Sequence, residues 1–246
     1  MTKIEGKVEV RCTACGVAAE HQLVQLVHAQ DTPAAHAQLL RGELNVSVCT
    51  CGKRSQLACE LVYQDPQRGF LCHVCPGGEA AMRRAEELFD AAFSTSLHVM
   101  PAGPAGYGGA GDPGGVSGAA SAATYPVQRI VPSVNALLEK VKILDAGLAD
   151  WAVEMVKVLL LASISVDDDD RVMLFTGVET PAEGSASTAR WLLFDRYGEV
   201  PTTLASPLAA VDRLVSTLGG APTGTQRRID RAWAIEAVRA MIASAN

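Results

Sequence analysis

Cys12-Thr13-Ala14-Cys15-Gly16 and, further along, Cys49-Thr50-Cys51-Gly52 are the stretches whose reading decides the N-terminal fold. In the first pair, two thiols three residues apart can grip one metal ion, and the glycine lets the backbone turn tightly around the sulfurs. The second pair is closer, Cys-x-Cys, and again a glycine follows. In an extended segment, side chains two apart point to the same side, so both sulfurs of Cys49 and Cys51 can serve one ion. Four sulfurs from two such knuckles make the tetrahedral set that zinc prefers, and each knuckle follows a strand-like segment, as in zinc ribbons. Cys12, Cys15, Cys49 and Cys51 are therefore the expected ligands of a structural Zn2+. Such a site is closed, with no position left for a substrate.

Outward from the knuckles, residues 1–98 read mostly as strands. Lys3 to Arg11 alternates charged and apolar residues, and Gln22 to Val27 is a second apolar stretch. Thr32-Pro33 predicts a helix start, with Thr32 as cap and Pro33 in the first turn, running to a stop at Gly42. Leu44 to Val48 leads into the second knuckle. Leu57 to Tyr63 and Phe70 to Val74 form an expected hairpin across Asp65-Pro66-Gln67-Arg68-Gly69. Met82, Ala85, Leu88, Phe89 and Ala92 share one face of a helix from Glu79 to about Phe93.

Composition then shifts. Residues 99–124 include eight glycines in 26 positions, too little apolar surface to offset ordering entropy, so a flexible linker is expected. No strand, helix start or Lys-Ser/Thr ending makes it a phosphate loop. The division is thus 1–98, linker 99–124, and 125–246. The last part reads as α+β: a short apolar stretch at Pro126–Val131, a helix capped by Ser133, a break at Gly147, and a helix over Leu148–Ala162. Strands at Val172–Val178 and Trp191–Phe194 and helices at about Pro207–Leu218 and Gln226–Ala243 follow. The fold class is α+β, a zinc-ribbon-like β-rich domain followed by a small α+β domain.

The net charge is −6. Residues 1–98 carry nine Lys/Arg against eleven Asp/Glu, and residues 125–246 carry twelve against fifteen, so neither part has the basic face of a nucleic-acid binder. The start has no apolar core of a secretory signal, and no run approaches the ~20 apolar residues of a bilayer span. A cytoplasmic protein is expected, and in a reducing compartment seven cysteines in close pairs read as metal binding rather than disulfides.

The stretch Leu40-Arg41-Gly42-Glu43-Leu44-Asn45, then Cys49-Thr50-Cys51-Gly52, then Leu61-Val62-Tyr63-Gln64-Asp65-Pro66 resembles the bacterial CpXC domain. That family carries two Cys-Pro-x-Cys knuckles, a Gly-x-Leu-Asn lead-in and a following Tyr-x-Asp. Residues 136–143 and Gly147-Leu148-Ala149-Asp150 are similar to the segment that often follows the domain. The chain departs from the pattern twice: Thr13 stands in the first knuckle's proline position, and the second knuckle is one residue short and lacks proline. The resemblance implies zinc binding by the two knuckles.

The remaining chemistry-bearing residues suggest no catalyst. Cys72-His73-Val74-Cys75 lies in a strand-like segment, where residues three apart face opposite ways. Buried cysteines are the leading reading there, with a metal contribution or a redox pair as alternatives; Cys59 reads as core. His21, His28 and His36 lack a nucleophile motif beside them. Asp167–Asp170 reads as a solvated turn, and Arg227, Arg228 and Arg231 as the solvated start of the last helix. The expected role is a non-enzymatic zinc-stabilised interaction module or adaptor with a protein partner. A nucleic-acid-binding regulator and a thiol redox protein using Cys72 and Cys75 are the alternatives.

Overall fold

The computed structural model describes residues 5–96, 125–164, 171–180, 186–194, 201–218, 222 and 226–244. The expected linker at 99–124, the acidic run Asp167–Asp170 and the expected turn Asp195–Gly198 lie outside the described residues.

The first two elements, β1 (Glu5–Arg11) and β2 (Ala18–Val24), form an antiparallel hairpin whose turn is the first knuckle. β3 (Leu26–His28) leads to α1 (Pro33–Leu40). Thr32 does not cap this helix as expected: its Oγ1 accepts from the His28 amide at 2.8 Å and donates to the His28 carbonyl at 2.9 Å, closing the turn before the helix instead. At the other end Gly42 adopts φ +67°, where a Cβ would be strained, and the amides of Gly42 and Glu43 satisfy the last carbonyls. β4 (Val46–Val48) and β5 (Arg54–Gln56) form a second hairpin around the second knuckle. The hairpin expected across 65–69 is present, as β6 (Leu61–Asp65) and β7 (Phe70–Val74). α2 (Gly78–Ser96) follows.

The chain resumes with β8 (Val127–Val131), which pairs in parallel with β7. The resulting four-stranded sheet has the order β3-β6-β7-β8. Residues on the two sides of 99–124 therefore share one sheet. They share one core as well. Val27, Leu39, Leu44, Tyr63, Phe70 and Val74 pack with Val131 of β8 and with Leu137 and Val141 of α3 (Val134–Asp145). The composition shift marks a change in the chain, and the core runs across it: four of the five residues of β8 are buried, Ile130 and Val131 in apolar clusters and Gln128 and Arg129 with polar partners. The opposite face of the sheet is closed by α2 over Cys75 and Ile130.

Ser133 caps α3 as expected, accepting from the Ala136 amide at 3.2 Å, and Gly147 breaks the chain at φ +69°. The body is completed by α4 (Asp150–Ser163), the antiparallel strands β9 (Val172–Glu179), β10 (Thr188–Phe194) and β11 (Thr202–Pro207), and the helices α5 (Ala209–Leu218) and α6 (Arg231–Ser244). β11 is an addition to the sequence reading. It is an edge strand ending in Pro207, where a missing N–H costs no ladder bond, and the Trp191 indole N–H holds it by donating to Ser206 Oγ at 3.0 Å. A second core of Trp151, Met155, Phe175, Trp191, Ile229 and Val238 lies between this sheet and the helices.

The last helix starts five residues later than expected. Asp230 accepts from the Trp233 amide at 3.0 Å and sets its N-terminus, which leaves 226–229 outside the helix and lying against β8. Arg227 and Arg228 are accordingly not a solvated helix start. Arg227 is buried, pairs with Asp90, donates to Gln128 Oε1 at 3.0 Å and lies over the Phe89 ring. Arg228 makes a two-pronged pair with Glu79 at 2.6 and 2.8 Å. Together they strap α2 to the sheet.

A chain of ion pairs joins α3 to α4. Arg129 holds Asp150 through two bonds of 2.6 and 2.8 Å, and Lys140 lies between Asp150 (3.4 Å) and Glu154 (2.9 Å). Lys157 joins Glu154 (2.9 Å) to Glu139 (3.1 Å), and Glu139 accepts from the Phe175 amide at 2.6 Å. Six charges alternate in sign along the chain. Such groups are tolerated in an interior only when paired in this way.

Candidate metal centre

Each knuckle is a backbone device before it is a ligand set. At the first, Cys12 N–H bonds the Val17 carbonyl at 2.8 Å and Gly16 N–H bonds the Cys12 carbonyl at 2.9 Å. At the second, the Cys49 amide bonds Lys53 at 2.9 Å and the Gly52 amide bonds Cys49 at 2.9 Å. The two turns have the same pattern although one is a residue shorter. Gly16 and Gly52 both stand at positive φ, +74° and +86°, which accounts for a glycine after each pair.

The turns face one another. Cys12 Sγ lies 3.7 Å from Cys51 Sγ, and Cys15 Sγ lies 3.5 Å from Cys49 Sγ. All four sulfurs fall within 4.8 Å of one another. A disulfide would bring a pair to about 2.0 Å, and all seven cysteines are free thiols. A tetrahedron with metal–sulfur bonds of about 2.3 Å has edges of about 3.8 Å. The cluster thus has the size of a single four-sulfur site, and its all-thiolate donor set is of the soft kind. The Cys-x-Cys spacing of the second knuckle brings both its sulfurs to the cluster.

The thiols do not titrate alike. The Cys51 amide and then the Cys15 thiol stabilise the Cys49 thiolate, which lowers its pKa to about 6. The Ala14 and Cys15 amides lower that of Cys12. The Val17 amide favours the Cys15 thiolate, yet the neighbouring Cys49 and Cys51 sulfurs outweigh it and raise the thiol to about 12. Like charges crowded together cannot all ionise, so an ion that binds all four displaces protons.

Two motifs without ligand atoms support the cluster. In Gly42-Glu43-Leu44-Asn45, Leu44 is fully buried and Asn45 adopts φ +54°, a left-handed conformation that asparagine tolerates best among side-chain-bearing residues. Its side chain accepts from Val24 N–H at 2.8 Å and donates to the Val24 carbonyl at 2.9 Å and to Cys59 Sγ at 3.1 Å. Asn45 thereby pins the end of the first hairpin to the entry of the second. His21 on β2 and Ser47 on β4 add a 2.9 Å bond between the same two hairpins. In Tyr63-Gln64-Asp65, buried Asp65 accepts from Gln30 Nε2 at 3.0 Å and Tyr63 meets His36 at 3.3 Å. These roles depend on strand pairing and were invisible in the spacing alone.

The other cysteines stand apart from the cluster. Cys72 packs in the core beneath α3, whereas Cys75 lies on the opposite face beneath α2. Burial raises both thiols, Cys75 to about 11, and lowers the pKa of His73 beside it. Opposite faces and protonated thiols leave no vicinal redox pair, so that alternative is set aside. His21 Nε2 lies 2.9 Å from Ser47 Oγ, His28 meets Thr32 and Asp31 through its backbone and ring, and His36 Nε2 lies 3.3 Å from the Tyr63 hydroxyl.

Among the described residues, no helix is long and apolar enough to cross a membrane. The family model described as "CpXC protein" matches residues 10–157, a span that takes in both knuckles, the four-stranded sheet, α3 and half of α4. No curated protein and no solved structure matches the chain.

Proposed function

The chain belongs to the CpXC family, and from that premise we propose that it is a non-enzymatic interaction protein whose N-terminal end is held together by one structural Zn2+ on Cys12, Cys15, Cys49 and Cys51. The observation that carries this is the four-sulfur cluster at the tips of two hairpins that have almost no core of their own. No residue from Gly6 to Leu26 is buried, and β5 has no buried residue either. Hairpins with so little apolar burial need another source of stability, and a metal supplies it. Zinc is the ion that four thiolates in a tetrahedron of this size suit best.

A closed site supports a scaffold role rather than catalysis. Two exposed valines flank the knuckles, Val17 after Gly16 and Val48 before Cys49, and give the metal-held tip an apolar surface for a protein partner. The expected compartment is the reducing cytoplasm, where the thiols stay available to the metal.

The test is elemental analysis of freshly purified, reduced protein and of Cys49→Ser. About one zinc per chain in the first and none in the second is the expected outcome. Wild-type protein without metal, its tip nonetheless folded, would remove the basis of this reading.

A further inference from the structure

The four sulfurs of the tip are not equivalent. Cys15 and Cys51 are exposed, whereas Cys12 and Cys49 are half-buried. The sulfur contacts of 3.7 Å (Cys12 with Cys51) and 3.5 Å (Cys15 with Cys49) both run between the two hairpins rather than within a knuckle. Each contact therefore joins one exposed sulfur to one half-buried sulfur on the other hairpin. That is the arrangement of a thiol that meets an oxidant with a resolving thiol beside it.

The other cysteines do not compete. Cys59, Cys72 and Cys75 are buried, and none of them belongs to the four-sulfur cluster. A disulfide needs its sulfurs about 2.0 Å apart, so each facing pair has to close by roughly 1.5 Å. A close-packed interior resists a shift of that size. The tip has no such interior: no residue from Gly6 to Leu26 is buried, and β5 has no buried residue. The hairpins are nevertheless aligned. Asn45 bonds the backbone of Val24 at 2.8 and 2.9 Å, and His21 meets Ser47 at 2.9 Å. Closure from this starting point brings the facing sulfurs together.

We propose that the tip is an oxidant-responsive centre: a peroxide converts its four thiolates to two disulfides, Cys12–Cys51 and Cys15–Cys49, and these bonds keep the hairpins joined once the ion has gone. In each pair the exposed thiolate attacks one peroxide oxygen, breaks the O–O bond and becomes a sulfenic acid, with hydroxide as the other product. The half-buried thiolate then attacks that sulfur, forms the S–S bond and expels a second hydroxide. Two thiolates, one hydrogen peroxide and two protons thus give one disulfide and two waters. The two electrons that the sulfurs lose are those that the peroxide gains. When both pairs have reacted, no thiolate is left for the ion, which is released. The proposal rests on the reading of the cluster as a structural zinc site, and its product differs from that of chelation. Chelation leaves nothing between the sulfurs of the two hairpins, whereas oxidation leaves two covalent ties. Disulfides formed in a reducing compartment are characteristically transient and redox-sensing, as this response requires.

The experiment uses the full wild-type chain, purified under reductant, loaded with zinc, moved to reductant-free buffer and treated with hydrogen peroxide. A chromogenic chelator reads released metal, mass spectrometry under non-reducing conditions reads the product, and amide exchange reads the fold of the tip. The expected result is metal release in step with the loss of four hydrogens from the intact chain. Fragmentation of the linked peptides should assign Cys12–Cys51 and Cys15–Cys49, with Cys59, Cys72 and Cys75 still thiols. Amides of β1–β2 and β4–β5 should exchange at least about tenfold more slowly than in reduced chain stripped of metal by chelator. Thiol reductant and zinc should then restore the starting mass and metal content. Any other pairing, bonds between chains, oxygenated sulfurs in place of disulfides, or a tip that exchanges like the stripped chain overturns the proposal. Reduced protein that takes up no zinc defeats the structural-metal reading and the release that rests on it. Zinc taken up and then kept through oxidation, or lost without those two bonds, defeats only the oxidant response.

Discussion

The tip formed by β1–β2 and β4–β5 and the body behind it are stabilised by different means. In the tip, side chains lie at the surface and four sulfurs lie within 4.8 Å of one another. In the body, two apolar cores and a line of six alternating charges hold the elements together. A fold can thus place a metal where it cannot place a core. The difference also sorts perturbations: those that act on thiolates should reach the tip first, and those that act on packing or paired charge should reach the body.

Removal of the metal is the strongest way to separate the two. Structural zinc in small modules contributes on the order of 10 kcal/mol to folding. With chelator and reductant, amide exchange in β1–β2 and β4–β5 should approach that of an unfolded chain, while β6 and β7 stay protected. Exchange mass spectrometry reads this directly, and a body that opens together with the tip would show that the two are one cooperative unit. Acid should give the same order. Protons compete with the ion for the four thiolates as pH falls. Asp150 behaves differently. It is buried, but Lys140 and the Arg129 bonds hold its carboxyl down to about 2. A depressed carboxyl stabilises the fold above its ordinary pKa, and that contribution is lost only as pH falls from about 4 toward 2. Metal release at a higher pH than unfolding of the body is therefore expected.

The next largest effect lies in the ion-pair chain. Lys140→Met removes one of the two cations paired with each of Asp150 and Glu154, and leaves Asp150 buried with Arg129 alone and Glu154 with Lys157 alone. Breaking a buried pair in this way typically costs 3–5 kcal/mol. Denaturant unfolding should show a loss of that size, with metal content unchanged. A loss below about 1 kcal/mol would mean that water reaches the carboxylates and that the chain is less sealed than its geometry shows.

Asn45 joins the regions and should give an intermediate effect. Asn45→Ala deletes three side-chain hydrogen bonds and leaves alanine at φ +54°. A cost of about 1–3 kcal/mol is expected, together with a looser metal site, because β2 is no longer fixed to the second hairpin. Competition with a chromogenic chelator reads the second part. This residue also shows where the sequence was readable and where it was not. The knuckles could be read because their chemistry is local: residue type, spacing and a following glycine suffice. The hairpin across Gly69, the Ser133 cap and the break at Gly147 were readable for the same reason. The structural role of Asn45 depends on Val24, a residue on another strand, and no local pattern reports it. The membership of β8 in the first sheet was likewise hidden, since residues 99–124 separate it from its partner β7 and a parallel pairing has no turn signature. The last helix was started too early because Gln226 to Asp230 has helical composition, whereas contacts with β8 and α2 decide its conformation.

The smallest effect should come from Arg228, and its neighbour makes the point sharper. Both arginines strap α2 from the segment before α6, but they stand in different surroundings. The Glu79 side chain that Arg228 holds is more than half exposed, so it stays hydrated when the arginine goes. A pair of that kind contributes at most about 1 kcal/mol. Arg228→Ala should shift the unfolding midpoint by no more than that, and 1 M salt should erase most of the shift. Arg227 is buried, meets the Phe89 ring 5.4 Å from its centroid and donates to Gln128, so Arg227→Ala should cost more and respond little to salt. Equal and salt-sensitive effects at the two positions would show that the strap is held by surface charge alone and that Arg227 does not anchor it.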